Sequence, residues 1–147
     1  MIPEAKELMD FILMECSREF NLGPDQLLGS SRVPGVATPR HALIYLLAEH
    51  VNANGFASLK ELGRFLNKHH TSIINSRQVA VCMIRRQQSS MQQVVVKALE
   101  RMEPAIKLKA EEIKKRGQYP IRLTFLERVE KLEADFKEIK AMLNGKS

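Results

Sequence analysis

Apolar residues recur along this chain at intervals of three and four, the period of helices that bury one face. Leu8, Phe11, Ile12 and Phe20 form such a stripe with acidic residues between them; with Pro3 near the start and Gly23 just beyond, they predict an amphipathic helix. Pro24-Asp25-Gln26-Leu27-Leu28 fits one short helical turn, and Gly29-Ser30-Ser31-Arg32-Val33-Pro34-Gly35 holds too many breakers for either period, so it reads as a loop or arm. Thr38 before Pro39 predicts an N-cap and a first-turn proline. The helix they open runs through Ala42, Leu43, Leu46, Leu47 and Val51 to Asn54-Gly55, where glycine can take the left-handed cap. Ser58-Leu59-Lys60-Glu61 is a capping-box pattern, which predicts a helix over about 59–66 and leaves Asn67-Lys68-His69 as a tight turn.

From 70 to about 88 the pattern splits cleanly. Ile73, Ala80, Met83 and Ile84 share one face, and Thr71, Asn75, Gln78 and Arg85 share the other. The outward face is polar but not acidic, as a helix lying against phosphate requires. A short helix, a tight turn and this second helix have the layout of a helix-turn-helix, whose second helix reads base edges with its N-terminal side chains.

Beyond Ser90 the helices become long and charged. Val95, Leu99, Met102 and Ile106 form a stripe that Pro104 is expected to kink or break, and Gly117-Gln118-Tyr119-Pro120 reads as a linker. Val129, Leu132, Phe136, Ile139 and Leu143 then alternate by three and four. That seam suits either a short coiled coil or a helix folded back on its neighbour. The expectation is an all-α chain: a multi-helix helix-turn-helix domain over residues 1–88, followed by a charged helical tail over 89–147. A homodimer or a partner protein held through the C-terminal helices is one use of such a tail.

Charge sharpens the picture. Of the formal +6, residues 58–120 supply the excess, with 13 basic against 5 acidic side chains. Such a local excess favours a polyanion by releasing its counterions. No apolar run approaches the roughly 18 residues needed to span a bilayer, and the first residues lack the regions of a signal peptide, so a cytoplasmic protein without a membrane partner is expected. Cys16 and Cys82 stand in no metal-ligand or redox spacing and are expected to be buried and reduced, and the methionines at 9, 14, 83, 91 and 102 to fill the core. His69 and His70 point about 100° apart on a helix, without a third metal ligand at a suitable spacing. No carboxylate pair, nucleophile triad or metal cluster suggests catalysis, so no enzyme, cofactor or metal is expected.

The order of the motifs adds more. An amphipathic helix, Leu27-Leu28, an arm with Arg32, Val36-Ala37-Thr38-Pro39-Arg40-His41-Ala42, Ser58-Leu59-x-Glu61-Leu62-Gly63 and His70-Thr71-Ser72-Ile73 together resemble the C-terminal DNA-binding domain of the bacterial replication initiator DnaA family, within the Trp repressor-like helix-turn-helix superfamily. The resemblance covers roughly residues 8–84. It implies double-stranded DNA as partner, with the helix from His70 in the major groove and a basic arm in the adjacent minor groove. Carried over by position, Arg32 would enter the minor groove, Arg40 would sit close to the phosphates, and His70, Thr71, Ser72 and Asn75 would meet base edges. His41, Lys68, His69 and Gln78 border these positions and complete the candidate contact set.

The family usually has Asp-His-Thr-Thr where this chain has His69-His70-Thr71-Ser72, so a different target sequence is expected. The Gly-x-x-x-x-Gly-Lys-Ser/Thr pattern of a phosphate loop does not occur. The chain therefore looks like a reader domain detached from its motor, with a role in replication control or transcription. The rival readings are a Trp repressor-like regulator unrelated to replication and a helical scaffold whose basic middle is incidental.

Overall fold

The computed structural model describes residues 1–118, 133 and 136–142. All regular structure among the described residues is helical: α1 (Pro3–Phe20), α2 (Pro24–Leu28), α3 (Pro34–Leu47) continued by a π turn (Ala48–Asn52), α4 (Leu59–Leu66), α5 (His70–Arg86) and α6 (Ser90–Gln118). The chain divides into two compact units, Met1–Glu111 and Glu112–Ser147.

In the first unit, α3 is the hub. Ala42, Leu43, Ile44, Leu46 and Leu47 are all fully buried, and the helix packs against α1, α2 and α5. A helix apolar on nearly every side has no stable solvent face, so its neighbours must surround it. Helix α1 contributes Leu8, Met9, Ile12, Leu13 and Cys16, while Phe11 and Phe20 are only half-buried at the edges of that stripe. The first part of α6 adds Val95, Leu99, Met102 and Ile106 to the same core. It runs antiparallel to α1, as the pairs Arg101–Glu19 (Nε to Oε1 2.6 Å) and Lys109–Glu7 (3.8 Å) require. Such exposed pairs fix direction more than they stabilise.

Several boundaries follow the local signals. Asn21 closes α1 in the left-handed conformation, Gly55 takes φ +79° after the π turn, and the Ser58 hydroxyl accepts the Glu61 amide N–H at 3.2 Å to open α4. Others differ from expectation. Helix α3 starts at Pro34, with Val33 as N-cap, and Pro39 lies inside it. Pro34 presets the helical φ as well as Pro39 does. The carbonyl that Pro39 leaves without a donor belongs to exposed Gly35, where water can reach it. Helix α6 likewise continues through Pro104, on an exposed face where the freed Glu100 carbonyl meets solvent. Its start carries a cap that the period alone does not reveal: Ser89 Oγ accepts the Gln92 N–H (3.1 Å), and the Gln92 side chain accepts the Gln88 N–H (2.7 Å).

Two expectations of burial are corrected. Cys16 is buried but Cys82 is exposed, because position 82 lies four residues beyond Gln78 on the outward stripe of α5. Met9, Met83 and Met102 are core residues, whereas Met14 and Met91 are exposed on outer faces. In the second unit, residues 136–142 are helical with Phe136, Ile139 and Met142 exposed. The rest of the expected seam, Val129, Leu132 and Leu143, lies outside the described residues, as do Tyr119 and Pro120.

One turn depends on a glycine for space. Lys68 N–H donates to the Gly63 carbonyl at 2.8 Å, and a Cβ on Gly63 would come within 2.5 Å of the Lys68 carbonyl oxygen. Gly63→Ala is therefore expected to destabilise the protein by about 1–3 kcal/mol, read by denaturant unfolding; an unchanged midpoint would show that the turn can open at no cost. Two imidazoles supply a second test. His41 and His50 are both held below the usual 6.5, burial being the first cause in each. They are neutral in the fold while the unfolded chain takes up protons more readily, so stability should be full above pH 6.5 and fall as pH drops through it. The double variant His41→Gln/His50→Gln should flatten this acid limb in thermal melts across pH 5–7.

Candidate nucleic-acid interface

Helices α4 and α5 and the turn between them hold most of the candidate residues in one place. Asn67 closes α4 in the left-handed conformation (φ 53°) and His69 returns to extended backbone, which reverses the chain within three residues. His69 caps α5 with its ring: Nδ1 accepts the Thr71 amide N–H at 3.2 Å and lies 3.0 Å from Thr71 Oγ1. Accepting through Nδ1 requires the neutral ring with its proton on Nε2. The imidazole thus performs the N-cap task that an aspartate carboxylate commonly performs. His70 packs its ring against that of His69, centroids 4.2 Å apart.

The outward face of α5 begins immediately after this cap. Thr71, Ser72, Asn75 and Gln78 are all exposed, spaced so that their side chains follow one another up the helix. Behind them, Ile73, Ala80 and Met83 are buried and fix the rotation of the helix on its core. Arg77, at the flank, is bound to Glu49 of the π turn through Nε (2.9 Å) and Nη2 (2.5 Å). Next to the start of α5 lies an open cleft of about 680 Å³ lined by Lys60, Gly63, Arg64, Asn67, Lys68, His69 and His70. It contains no carboxylate. Lys60 and Arg64 were absent from the sequence-derived set, although their spacing of four on α4 places them on one face.

The electrostatics of this corner are one-sided. Lys68 is shifted down by burial and then by Arg40, and His41 by burial, then Arg40, then Lys68. Every charge contributing to these shifts is positive, so an anion placed here would relieve the repulsion. The Nδ1 of His41 is buried without a hydrogen-bond partner.

Arg40 and Arg32 have separate roles. Arg40, expected beside phosphates, is 6% exposed. Its guanidinium donates from Nε to the Leu27 carbonyl (3.0 Å), from Nη1 to Ser31 (2.7 Å) and from Nη2 to Gln26 (2.9 Å). These carbonyls belong to α2 and the arm, so Arg40 is a strut that holds the arm from below. Its burial has a simple cause: residue 40 lies three, four and seven positions before the buried Leu43, Ile44 and Leu47, on the inner face of α3. Arg32, the neighbour of the Ser31 whose carbonyl is held, is exposed.

Among the described residues, no group of three or more His, Cys, Asp and Glu side chains could hold a metal ion, and no helix is long and apolar enough to cross a membrane. The family described as the bacterial DnaA protein helix-turn-helix matches residues 9–79. The chromosomal replication initiator protein DnaA of Deinococcus deserti is 33% identical over 70 residues, which cover 48% of this chain and 14% of that relative. The chain thus spans only a small part of the length of the curated relative it matches. No solved structure matches. The matched residues 9–79 comprise most of α1, the arm, the hub helix and the greater part of the helix-turn-helix.

Proposed function

We propose that this protein binds double-stranded DNA sequence-specifically and acts by occupying its site, without catalysis of its own. The observation that carries this reading is the junction of α4 and α5. There an exposed face without carboxylates, formed by Thr71, Ser72, Asn75 and Gln78, adjoins a cleft whose charged groups, Lys60, Arg64 and Lys68, are all cationic. Side-chain hydroxyls and amides can pair with base edges in the major groove, while the cations and the α5 N-terminus hold phosphates on either side. Arg32, on an arm braced by Arg40, would enter the neighbouring minor groove, whose negative potential favours a guanidinium.

Residues 1–88 would then be the reader and 89–147 an appended charged segment, whose Val95, Leu99, Met102 and Ile106 also add to the core. Control of replication, or of transcription, follows from where the site lies, and a cytoplasmic location is part of the same proposal. The relative's printed name, a chromosomal replication initiator, supports the replication setting. The exposed Phe136, Ile139 and Met142 favour a second role for the tail, in holding a partner protein or a second copy of the chain.

Gel shifts over a salt series test the reading directly. Each phosphate contact should steepen the fall of log affinity with log salt by about 0.9, and a flat response would remove DNA as the partner. Thr71→Ala should cost about 1–3 kcal/mol and relax selectivity at one base position. Arg32→Ala should weaken binding mainly where the minor groove is narrow and A·T-rich, as footprinting would report; an unchanged protection pattern would take the arm out of the interface.

A further inference from the structure

Guanine is most often read in the major groove by an arginine or lysine reaching O6 and N7, adenine by an asparagine or glutamine amide at N6 and N7, and thymine by an apolar group against its methyl. The outward face of α5 can be sorted by this code. Thr71, Asn75, Gln78 and Cys82 succeed one another at spacings of four, three and four, and all are exposed. Ile74 (49% exposed) and Val79 (48% exposed) flank the two amides. These branched aliphatic side chains are poor choices for a wet helix surface, since they lose side-chain freedom there without gaining burial.

The cations lie at the flank and at the two ends of this face. Arg77 directs Nε and Nη2 to Glu49, so the fork a guanine would need is already occupied. Lys68 precedes the helix in the turn, and Arg85 and Arg86 lie at its last turn, where Arg86 borders one cleft with Gln78, Val79 and Cys82. Between these ends, Arg77 at the flank apart, the reading surface carries two amides, the hydroxyls of Thr71 and Ser72, a thiol and two aliphatic groups.

We infer that α5 reads a run of A·T base pairs, with Asn75 and Gln78 on adenine and Ile74 and Val79 against thymine methyls. An A·T pair presents both features at once, the adenine amine and N7 on one strand and the methyl on the other, so adjacent amide and aliphatic side chains can read its two halves together. The exposed Arg32 on the arm favours the same class of sequence from the other groove, because runs of A·T pairs narrow the minor groove. This inference rests on the DNA-reading function proposed above and specifies its target.

The test begins with random-sequence selection by the full chain, which should return a box whose central positions are A·T. Short duplexes carrying that box are then compared with the same duplexes in which single thymines are replaced by deoxyuridine, a change that removes the methyl and keeps the pairing. Binding should weaken by about fourfold for each contacted methyl removed. In Ile74→Ser and Val79→Ser, both surface changes whose folding is checked by circular dichroism, the penalty should vanish at the position each side chain covers. A G·C core in the selected box, equal affinity for the deoxyuridine duplexes, or a penalty that persists in both variants would overturn the inference while leaving DNA binding intact. Selection of no box at all would instead overturn the function on which it rests.

Discussion

The architecture depends on burying α3 on nearly all sides. A helix carrying Leu43, Ile44, Leu46 and Leu47 at complete burial cannot be left against water on any of those faces, so α1, α2 and α5 are drawn around it. The functional geometry is set by its two ends. Its first half carries Arg40, which holds α2 and the arm, and the π turn that continues it carries Glu49, which holds Arg77 on α5. Arm and recognition helix are thus registered against one rigid element. For the duplex proposed as ligand, two grooves would have to be met at a fixed separation, which such a register would serve.

The Arg40 network shows how a polar interior is made tolerable. A buried cation without a partner is expensive, and here three carbonyl dipoles meet it through three separate donors. Lysine could not serve equally, because its single ammonium lacks the planar fork that reaches Gln26, Leu27 and Ser31 at once. Two of these carbonyls lie at the end of α2, and the third, Ser31, lies in the glycine- and serine-rich arm that makes little regular structure. An arm that would otherwise sample many conformations is fixed at the residue next to Arg32, so the ordering entropy is met in folding and not at the moment of binding.

Much of this was legible in the sequence where the signal is local. The Ser58 cap, the left-handed Gly55, the end of α1 and the split of α5 into two faces all depend on residues within a turn of one another, and all appear as read. The start of α3 was misplaced because Thr38-Pro39 and Val33-Pro34 are both credible openings. What decides between them is the burial of Arg40, a contact with residues 9 to 14 positions away. Burial of Cys82, Met14 and Met91 failed for a related reason: hydrophobic type says that a residue can be inside, and only helix rotation says whether it is. Lys60 and Arg64 escaped notice because their importance comes from facing Lys68 across a turn, although the i, i+4 spacing was available. The Ser89–Gln92 cap was a readable local pattern too, obscured by the polar run around it.

The His69 cap opens α5 without placing a carboxylate at the mouth of the cationic cleft. A carboxylate at that position would cap α5 and also place a negative charge at the mouth of a cationic cleft. The imidazole accepts the same backbone N–H while neutral, and so keeps the cap and removes the charge. The Gly63–Lys68 contact supports this arrangement by holding the turn so tightly that His69 has little choice of position. On the function proposed above, attraction for phosphate would belong to α4 and the turn, through Lys60, Arg64 and Lys68, and discrimination to the uncharged face of α5. Dividing the two tasks between elements lets the reading surface change without loss of general affinity, because positioning contacts carry no sequence information of their own.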